Sequence, residues 1–261
     1  MYKKFIHDIK KYFNYAFVSA KSELKSEVAN SHLSWLWWIL DPLLFMLVYT
    51  FISIIVFKQK IQYFPIFVFI GLSCWQFFEK TVKQSVKIVS KNSHIVKKVY
   101  IPKYTLIFVK LMANGFKMLV SFSLVIILML IYRVQLSFHI FYIFPLLLTL
   151  IVITFAVSSI MLHFGVYVED LANVVNVFLR LVFYMSGIFY SIKGKLPEPY
   201  ITVLLKCNPV ALIIDDMREC MLYCNMPHRK LMLLWLVVGL VISAVGIRTI
   251  YKNENSYVKV I

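Results

Sequence analysis

The first 28 residues repeat apolar side chains every three or four positions. Phe5, Ile9 and Phe13 belong to this repeat, and lysines occupy many of the positions between them. The spacing predicts one amphipathic helix over Tyr2–Val28. A helix with a basic face is typical of a segment that lies in the headgroup layer of a membrane. We therefore predict that residues 1–34 form a cytoplasmic interface helix.

The rest of the chain alternates long apolar segments with short polar ones. Each apolar segment is close to the roughly 20 residues that an α-helix needs to cross the hydrocarbon core. The predicted fold is an all-α integral membrane protein that ends in a cytoplasmic tail over residues 252–261. The pattern predicts six transmembrane helices, over residues 35–57, 61–85, 104–132, 144–167, 171–192 and 231–251.

Two connecting segments are also patterned as helices. Residues 91–103, between the second and third spans, form a short basic stretch that ends near Pro102 and is predicted as a coupling helix. Residues 193–229, between the fifth and sixth spans, contain Asn208-Pro209, an N-cap followed by a first-turn proline. The apolar residues that follow recur at helical spacing, but the helix is too short to cross. We predict short re-entrant or interfacial helices there.

Composition and charge identify the surroundings of these segments. The chain is 61% hydrophobic, against roughly 45–50% in soluble domains, and its mean hydropathy is +0.79. Its formal charge is +16, but the lysines flank apolar segments and form no continuous basic stripe, which argues against nucleic-acid binding. With both termini inside, the inner segments carry nearly twice as many lysines and arginines as the outer ones. We therefore predict a multi-pass protein of the bacterial cytoplasmic membrane with both termini cytoplasmic.

Three charged side chains fall within predicted spans, where each costs at least roughly 2.5–3.5 kcal/mol unless it is paired or hydrated. They are Asp41, Lys117 and Arg180. Asn173 and Asn176 precede Arg180 by about two turns and one turn, so these three side chains share one helix face. This face is either a buried hydrogen-bonding network or the lining of a transport path. Asp41 is a candidate partner for Lys117 or Arg180.

Aromatic residues make up 16% of the chain and cluster near the inner ends of the first two spans. Such residues commonly form an interfacial belt, but some rings can instead line a channel. Sugars stack their apolar C–H faces on aromatic rings, and phenols offer them hydrogen bonds. The candidate substrate path combines these rings with the polar face of the fifth span: Trp35, Trp38, Tyr49, Trp75, Phe78, Asn176, Arg180 and Tyr184.

No catalytic, metal or cofactor site is predicted within this chain. Cys220, Cys224 and His228 are four residues apart. Pro227, however, interrupts the helix that would align them, and a fourth ligand is not obvious. The one Gly-Lys pair, at 194–195, lacks the other residues of a phosphate-binding loop. We therefore predict no nucleotide-binding site in this chain.

Four stretches of the chain together resemble a known family. They are Glu23-Leu24-Lys25 with residues 33–43, residues 71–78 with residues 92–103, residues 183–190, and Asn208-Pro209-Val210 with Asp215 and Arg218. In this order they resemble the permease subunits of type-2 ATP-binding-cassette exporters, which move O-antigen, capsular polysaccharide or teichoic acid. The sequence departs from that family's pattern at Ser34, where glycine is common, and at Asp41, where asparagine is common.

The resemblance implies two copies of this chain and a lipid-linked glycan as substrate. It also implies two copies of a soluble ATPase, which binds the ATP and Mg²⁺ that export against a gradient needs. It implies that the coupling helix docks onto the ATPase through Asn92, Ile95, Lys97, Lys98, Val99, Tyr100 and Pro102. It also implies an outer gate that contains Asn208, Pro209, Asp215 and Arg218.

Two other functions are compatible with the pattern. A permease of the same architecture could export a drug or a small lipid, and a neighbouring gene for glycan synthesis would argue against it. A membrane-embedded transferase that acts on a lipid carrier would need paired carboxylates or an activated histidine facing one cavity, and none stands out.

Overall fold

The computed structural model describes residues 2–29, 34–56, 61–192 and 197–260. Within these ranges the chain is helical and contains no β-strand, as the sequence pattern predicts. The α-helices are α1 (Tyr2–Val28), α2 (Trp37–Phe51), α3 (Phe64–Val86), α4 (Ile88–Lys91), α5 (Ser93–Lys98), α6 (Lys103–Ile131), α7 (Ile143–Tyr167), α8 (Leu171–Met185), α9 (Glu198–Cys207), α10 (Pro209–Leu222) and α11 (Arg229–Val260).

Helix length and hydropathy confirm a helical membrane protein. Four segments of the described residues are long and apolar enough to cross a membrane: Trp37–Ile55, Lys103–Ile131, Phe138–Tyr167 and Arg229–Val260. The other two predicted spans correspond to α3, which has 23 residues with several charges in its second half, and to α8, which has 15 residues. The number of six spans therefore stays a prediction.

The central helix of the bundle is α3. It packs against α2, α6, α7, α8 and α10, and nearly all of its side chains between Phe64 and Phe78 are buried. A helix enclosed by other helices needs no apolar surface toward lipid, which explains why α3 is less apolar than α2, α6, α7 and α8.

Three details of the helices differ from the prediction. The helix of the first span changes to a π-helical turn over Ile52–Val56. Residues 91–103 do not form one helix, because α4 and α5 are separate and an extended segment leads to Pro102. Proline disfavours helical backbone in the residue before it, which explains the extended segment. The last helix has no Gly or Pro after residue 246 and continues to Val260, so most of the predicted tail is helical.

The helices α7 and α11 form the most extensive pair in the bundle. Gly246 lies against Ser159, where an added Cβ atom would be 2.6 Å from the Ser159 Cβ atom. Small residues allow two helix backbones to approach this closely. Further along, Nδ1 of His163 lies 2.7 Å from the hydroxyl of Tyr257. The two helices therefore stay in contact over most of their length.

The amphipathic helix α1 packs lengthwise against the first half of α6. Ala16 and Ala20 of α1 are buried against Val109 and Ala113 of α6. These small side chains allow the two helix backbones to approach closely.

Two ion pairs join the same two helices. An oxygen of Glu23 lies 2.5 Å from Nζ of Lys110, and an oxygen of Glu27 lies 2.5 Å from Nζ of Lys117. The charge that Lys117 brings into a predicted span is therefore balanced by α1, and not by Asp41. The structure thus resolves one of the pairings that the sequence left open.

We expect the double variant Glu23→Gln with Glu27→Gln to loosen α1 from α6. After screening by solvent, two half-buried ion pairs contribute about 1–2 kcal/mol, so amide hydrogen exchange in α1 should accelerate roughly tenfold. Hydrogen exchange on the full chain would measure this. The control is Glu169→Gln, at an exposed position between α7 and α8. Equal exchange rates in the double variant and the control would contradict the prediction.

Candidate functional site

The segment between α3 and α6 presents a row of exposed side chains. Ile95, Val99 and Tyr100 are exposed, as are the two lysines between them. Val96 is buried and anchors α5 to the bundle, and Pro102 is also buried. Apolar and basic groups thus share one short protruding turn, which we call the coupling turn (residues 95–100). Of the predicted docking residues, the coupling turn contains Ile95, Lys97, Lys98, Val99 and Tyr100.

Asn92 has a different place from the other predicted docking residues. Its side-chain Nδ2 donates to the carbonyl of Ile88 at 2.7 Å, and the side chain is half-buried. It closes α4 just before α5 begins. Asn92 and Pro102 therefore flank the coupling turn and shape its two ends.

The coupling turn is tied to the far end of α11. The hydroxyl of Tyr100 donates to Oε2 of Glu254 at 3.0 Å, and the backbone N–H of Lys103 donates to Oε1 of the same carboxylate at 3.2 Å. The hydroxyl of Tyr12 on α1 donates to the carbonyl of Tyr100 at 3.3 Å. Desolvation of the phenol and its hydrogen bond to Glu254 raise the pKa of Tyr100 to about 12, so this donor keeps its proton at physiological pH.

A second set of contacts lies directly beneath. The hydroxyls of Tyr104 and Tyr251 are 2.9 Å apart, and both donate to the same oxygen of Asp8, at 3.3 and 2.5 Å. One carboxylate of α1 thus joins the start of α6 to the end of α11. Sequence reasoning missed this set, because its members are more than 90 residues apart and no local pattern relates them.

Beside the first half of α3, α10 carries a buried guanidinium. Arg218 is 2% exposed, and its Nε donates to the carbonyl of Phe67 at 3.0 Å. Nη1 and Nη2 donate to the carbonyls of Gly187 and Ile188 at 2.8 and 2.9 Å. The guanidinium also stacks over the Phe67 ring, 3.5 Å from its centroid. Gly71 makes room for it, since a Cβ atom there would be 2.5 Å from Nη2.

The start of α10 forms as the sequence predicts. Oδ1 of Asn208 accepts the backbone N–H groups of Val210 and Ala211, both at 3.1 Å, and Pro209 occupies the first turn. Nδ2 of Asn208 donates to the hydroxyl of Ser186 at 3.1 Å, which links this cap to the end of α8.

The predicted gate residues are therefore packed inside the chain. Asn208 and Pro209 are half-buried at the start of α10, whereas Asp215 and Arg218 are buried. Asp215, about one turn before Arg218, contributes a nearby negative charge. Arg218 holds α10 against α3 and the turn after α8, and Asn208 links the start of α10 to the end of α8.

Several of the predicted path residues form a chain of aromatic contacts. Trp75 packs against Phe78 and Phe183, with ring centroids 5.7 and 5.5 Å apart. Phe183 contacts Phe189 at 5.3 Å, and Phe189 stacks on Tyr49 at 4.0 Å. Trp75 is buried and donates its indole N–H to Glu79. Trp75 therefore offers no surface to a molecule outside this chain, whereas Tyr49 is half-exposed.

The remaining path residues lie at two other places. Arg180 and Tyr184 are exposed on one face of α8, with Asn176 half-buried one turn before Arg180. Trp35 is exposed before α2, and Trp38 packs against α6. The structure thus groups Tyr49, Trp75 and Phe78 with the end of α8, but it separates them from the two tryptophans.

His228 lies beside carboxylates of α10. The backbone N–H of His228 donates to Oδ1 of Asp216 at 3.0 Å, and its ring Nδ1 lies 2.7 Å from the same oxygen. Donor atoms of Asp215, Asp216 and His228 lie within 4.8 Å of one another. Sγ of Cys224 instead donates to the carbonyl of Gln135 at 3.2 Å. His228 therefore fixes the start of α11 to α10 through Asp216 and does not align with the thiols. All four cysteines are free.

Comparison with known proteins identifies the family. Two proteins from Klebsiella pneumoniae, both called O-antigen export system permease protein RfbA, are each 24% identical over 250 residues, which is 95% of this chain and 95% of theirs. A protein of the same name from Myxococcus xanthus is 28% identical over 195 residues, 74% of this chain and 75% of its own. The family model described as ABC-2 type transporter matches residues 16–222. This match covers most of the chain, including the coupling turn, α3 and the buried Arg218. The chain therefore belongs to the ABC-2 type transporter membrane family.

Proposed function

We propose that this chain is the permease of an ATP-driven exporter that moves a lipid-linked polysaccharide, such as an O-antigen, a capsular polymer or a teichoic-acid-like polymer, across the bacterial cytoplasmic membrane. The O-antigen export permeases of Klebsiella pneumoniae, which the chain matches over nearly its whole length, support the substrate class. The observation that carries the coupling to ATP is the coupling turn. It protrudes between two long helices, it mixes apolar and basic side chains, and it is bonded to α1 and α11.

The proposed assembly contains two copies of this chain and two soluble ATPase subunits that bind ATP and Mg²⁺. Arg180 is exposed on α8 within a predicted span, where a charge that faces lipid is unfavourable, and this supports contact between α8 and a second copy. A passage between the copies would then be bordered by Arg180 and Tyr184, which lie on exposed parts of α8.

We further propose six spans with both termini in the cytoplasm. The 23 residues of α3 extend about 34 Å, which exceeds the roughly 30 Å hydrocarbon core. The 15 residues of α8 extend only about 22 Å, but the turn after it continues to the buried Ile188 and Ile192. The concentration of lysines around α4 and α5 supports a cytoplasmic position for the coupling turn.

The ATPase contact can be tested by charge reversal in the coupling turn. We expect Lys97→Glu with Lys98→Glu to reduce copurification of the partner ATPase at least about tenfold, since two attractive charges become repulsive. The control is Lys206→Glu, an exposed lysine on α9, remote from the coupling turn. A chain that retains its ATPase after the double reversal, or that never binds one, would refute the proposed coupling surface.

The substrate class needs a separate measurement. Cells that lack the chain should accumulate lipid-linked glycan on the inner leaflet and lose the polymer from their surface. Unchanged surface glycan together with altered export of a small lipid or drug would favour the alternative permease function.

A further inference from the structure

A polar cavity of about 480 Å³ lies between the end of α1 and the helices α2, α3 and α6. Its lining includes two lysines, two carboxylates and three amides, together with two serines and two tryptophans. The charged members are Glu27, Asp41, Lys80 and Lys117. The cavity therefore has no net charge, although it carries separated charges of both signs.

One of its two ion pairs is open. Glu27 and Lys117 are in direct contact, whereas Nζ of Lys80 and the carboxylate of Asp41 are 3.7 Å apart, beyond hydrogen-bonding distance. The side chains of Lys80 and Asp41 are 44% and 45% exposed. Within the described ranges, neither has a closer polar partner. The ammonium of Lys80 and the carboxylate of Asp41 are thus open to water or to a ligand that enters the cavity.

Asn114 lies in the wall of the same cavity. It is 2% exposed, and its Nδ2 donates to the hydroxyl of Thr81 and to Oε1 of Gln84, both at 3.0 Å. Its Oδ1 is buried and has no hydrogen-bond partner among the described residues. Because Oδ1 has almost no accessible surface, it lies behind the cavity wall, and Asn114 serves there to join α6 to α3.

The position of the cavity suggests which molecules reach it. Asp41 lies about one turn after the first residue of α2, and Lys80 lies about 24 Å along α3 from Phe64. Both residues are thus near the same membrane surface, at the level where lipid headgroups meet the hydrocarbon core.

We propose that this cavity binds the headgroup of a zwitterionic phospholipid with a primary ammonium group. The phosphate accepts hydrogen bonds from Lys80, and the ammonium donates to Asp41. An anionic headgroup would leave the two carboxylates opposed to it. A choline headgroup has no N–H to donate, and a neutral sugar would leave the open charge pair unmatched. This ligand is a lipid of the surrounding bilayer and is independent of the exported polymer.

The test is lipid competition on the full chain, purified in detergent, stripped of lipid and analysed by native mass spectrometry. The probes are dioleoyl phosphatidylethanolamine, phosphatidylcholine, phosphatidylglycerol and a monoglucosyl diacylglycerol at equal concentrations. We expect about tenfold greater retention of the ethanolamine lipid than of any other, which is the contribution of roughly one charge-assisted hydrogen bond. Equal retention of all four lipids, or a preference for any of the other three, would overturn the proposal.

Variants locate the binding at this cavity. Asp41→Asn and Lys80→Gln should each reduce retention of the ethanolamine lipid about tenfold. Lys80→Arg, which keeps the charge and the donors, should retain it. Lys83→Gln is the matched control, because Lys83 lies one turn from Lys80 on α3 and pairs with Glu79 outside the cavity. Equal losses in Lys80→Gln and Lys83→Gln, a loss in Lys80→Arg, or no loss in Asp41→Asn would each refute the assignment.

Discussion

Replacing Arg218 with alanine is expected to destabilise the chain by about 3–5 kcal/mol, because it leaves three buried carbonyls without their donors. The loss should appear as a lower midpoint of thermal unfolding in detergent. Arg218→Lys should be intermediate, since an ammonium cannot reach Phe67 and the turn at Gly187 with the geometry of a guanidinium.

The matched control is Arg229→Ala. Arg229 is exposed, and its hydrogen bonds to Tyr142 and Met226 are 3.5 Å long, so its removal should cost less than about 0.5 kcal/mol. An Arg218→Ala chain that unfolds at the temperature of the unaltered protein would contradict the structural role of this residue. The resemblance alone predicts a gate residue, whereas its burial predicts that transport and stability fall together.

Replacing Gly246 with alanine is expected to cost about 1–3 kcal/mol, because the new Cβ atom would lie 2.6 Å from the Ser159 Cβ atom. The helices α7 and α11 must then move apart. Thermal unfolding in detergent again provides the measurement.

A second substitution makes this test specific. Ser159→Gly removes the atoms that the new methyl group meets, so the double variant should recover more than half of the loss beyond the effect of Ser159→Gly alone. Simple additivity of the two single effects would show that the backbones do not approach each other as closely as described.

The apolar pattern of the sequence predicts the long helices well, because lipid is the solvent that their side chains face. The helix over Tyr2–Val28 has the predicted bounds, and α6 and α7 begin and end within a residue or so of the predicted limits. The end of α11 is missed, because polar residues beyond Arg248 leave the membrane without leaving the helix. The enclosed α3 is harder to assign from hydropathy, because its environment is protein on almost every side.

Long-range pairings are not visible in the sequence. Local rules predict the Asn208 cap, since donor and acceptor are two or three residues apart. Periodicity gives the face on which Lys117 lies, but it cannot select Glu27, which is 90 residues away. The contact between Tyr100 and Glu254 joins positions 154 residues apart and depends on the length of α11. The docking and gate residues themselves stay predictions.

The length of α11 gives the coupling turn mechanical leverage. Its 32 residues form a rod about 48 Å long, roughly 18 Å more than the hydrocarbon core requires. Near one end of this rod, Glu254 accepts a hydrogen bond from Tyr100 of the coupling turn. At the other end, the contact between His228 and Asp216 fixes the start of α11 to α10. If that far end acts as the pivot, a tilt of about 5° displaces the end near Glu254 by about 4 Å. A push of a few ångströms on the coupling turn would thus reorient an entire span without bending any helix.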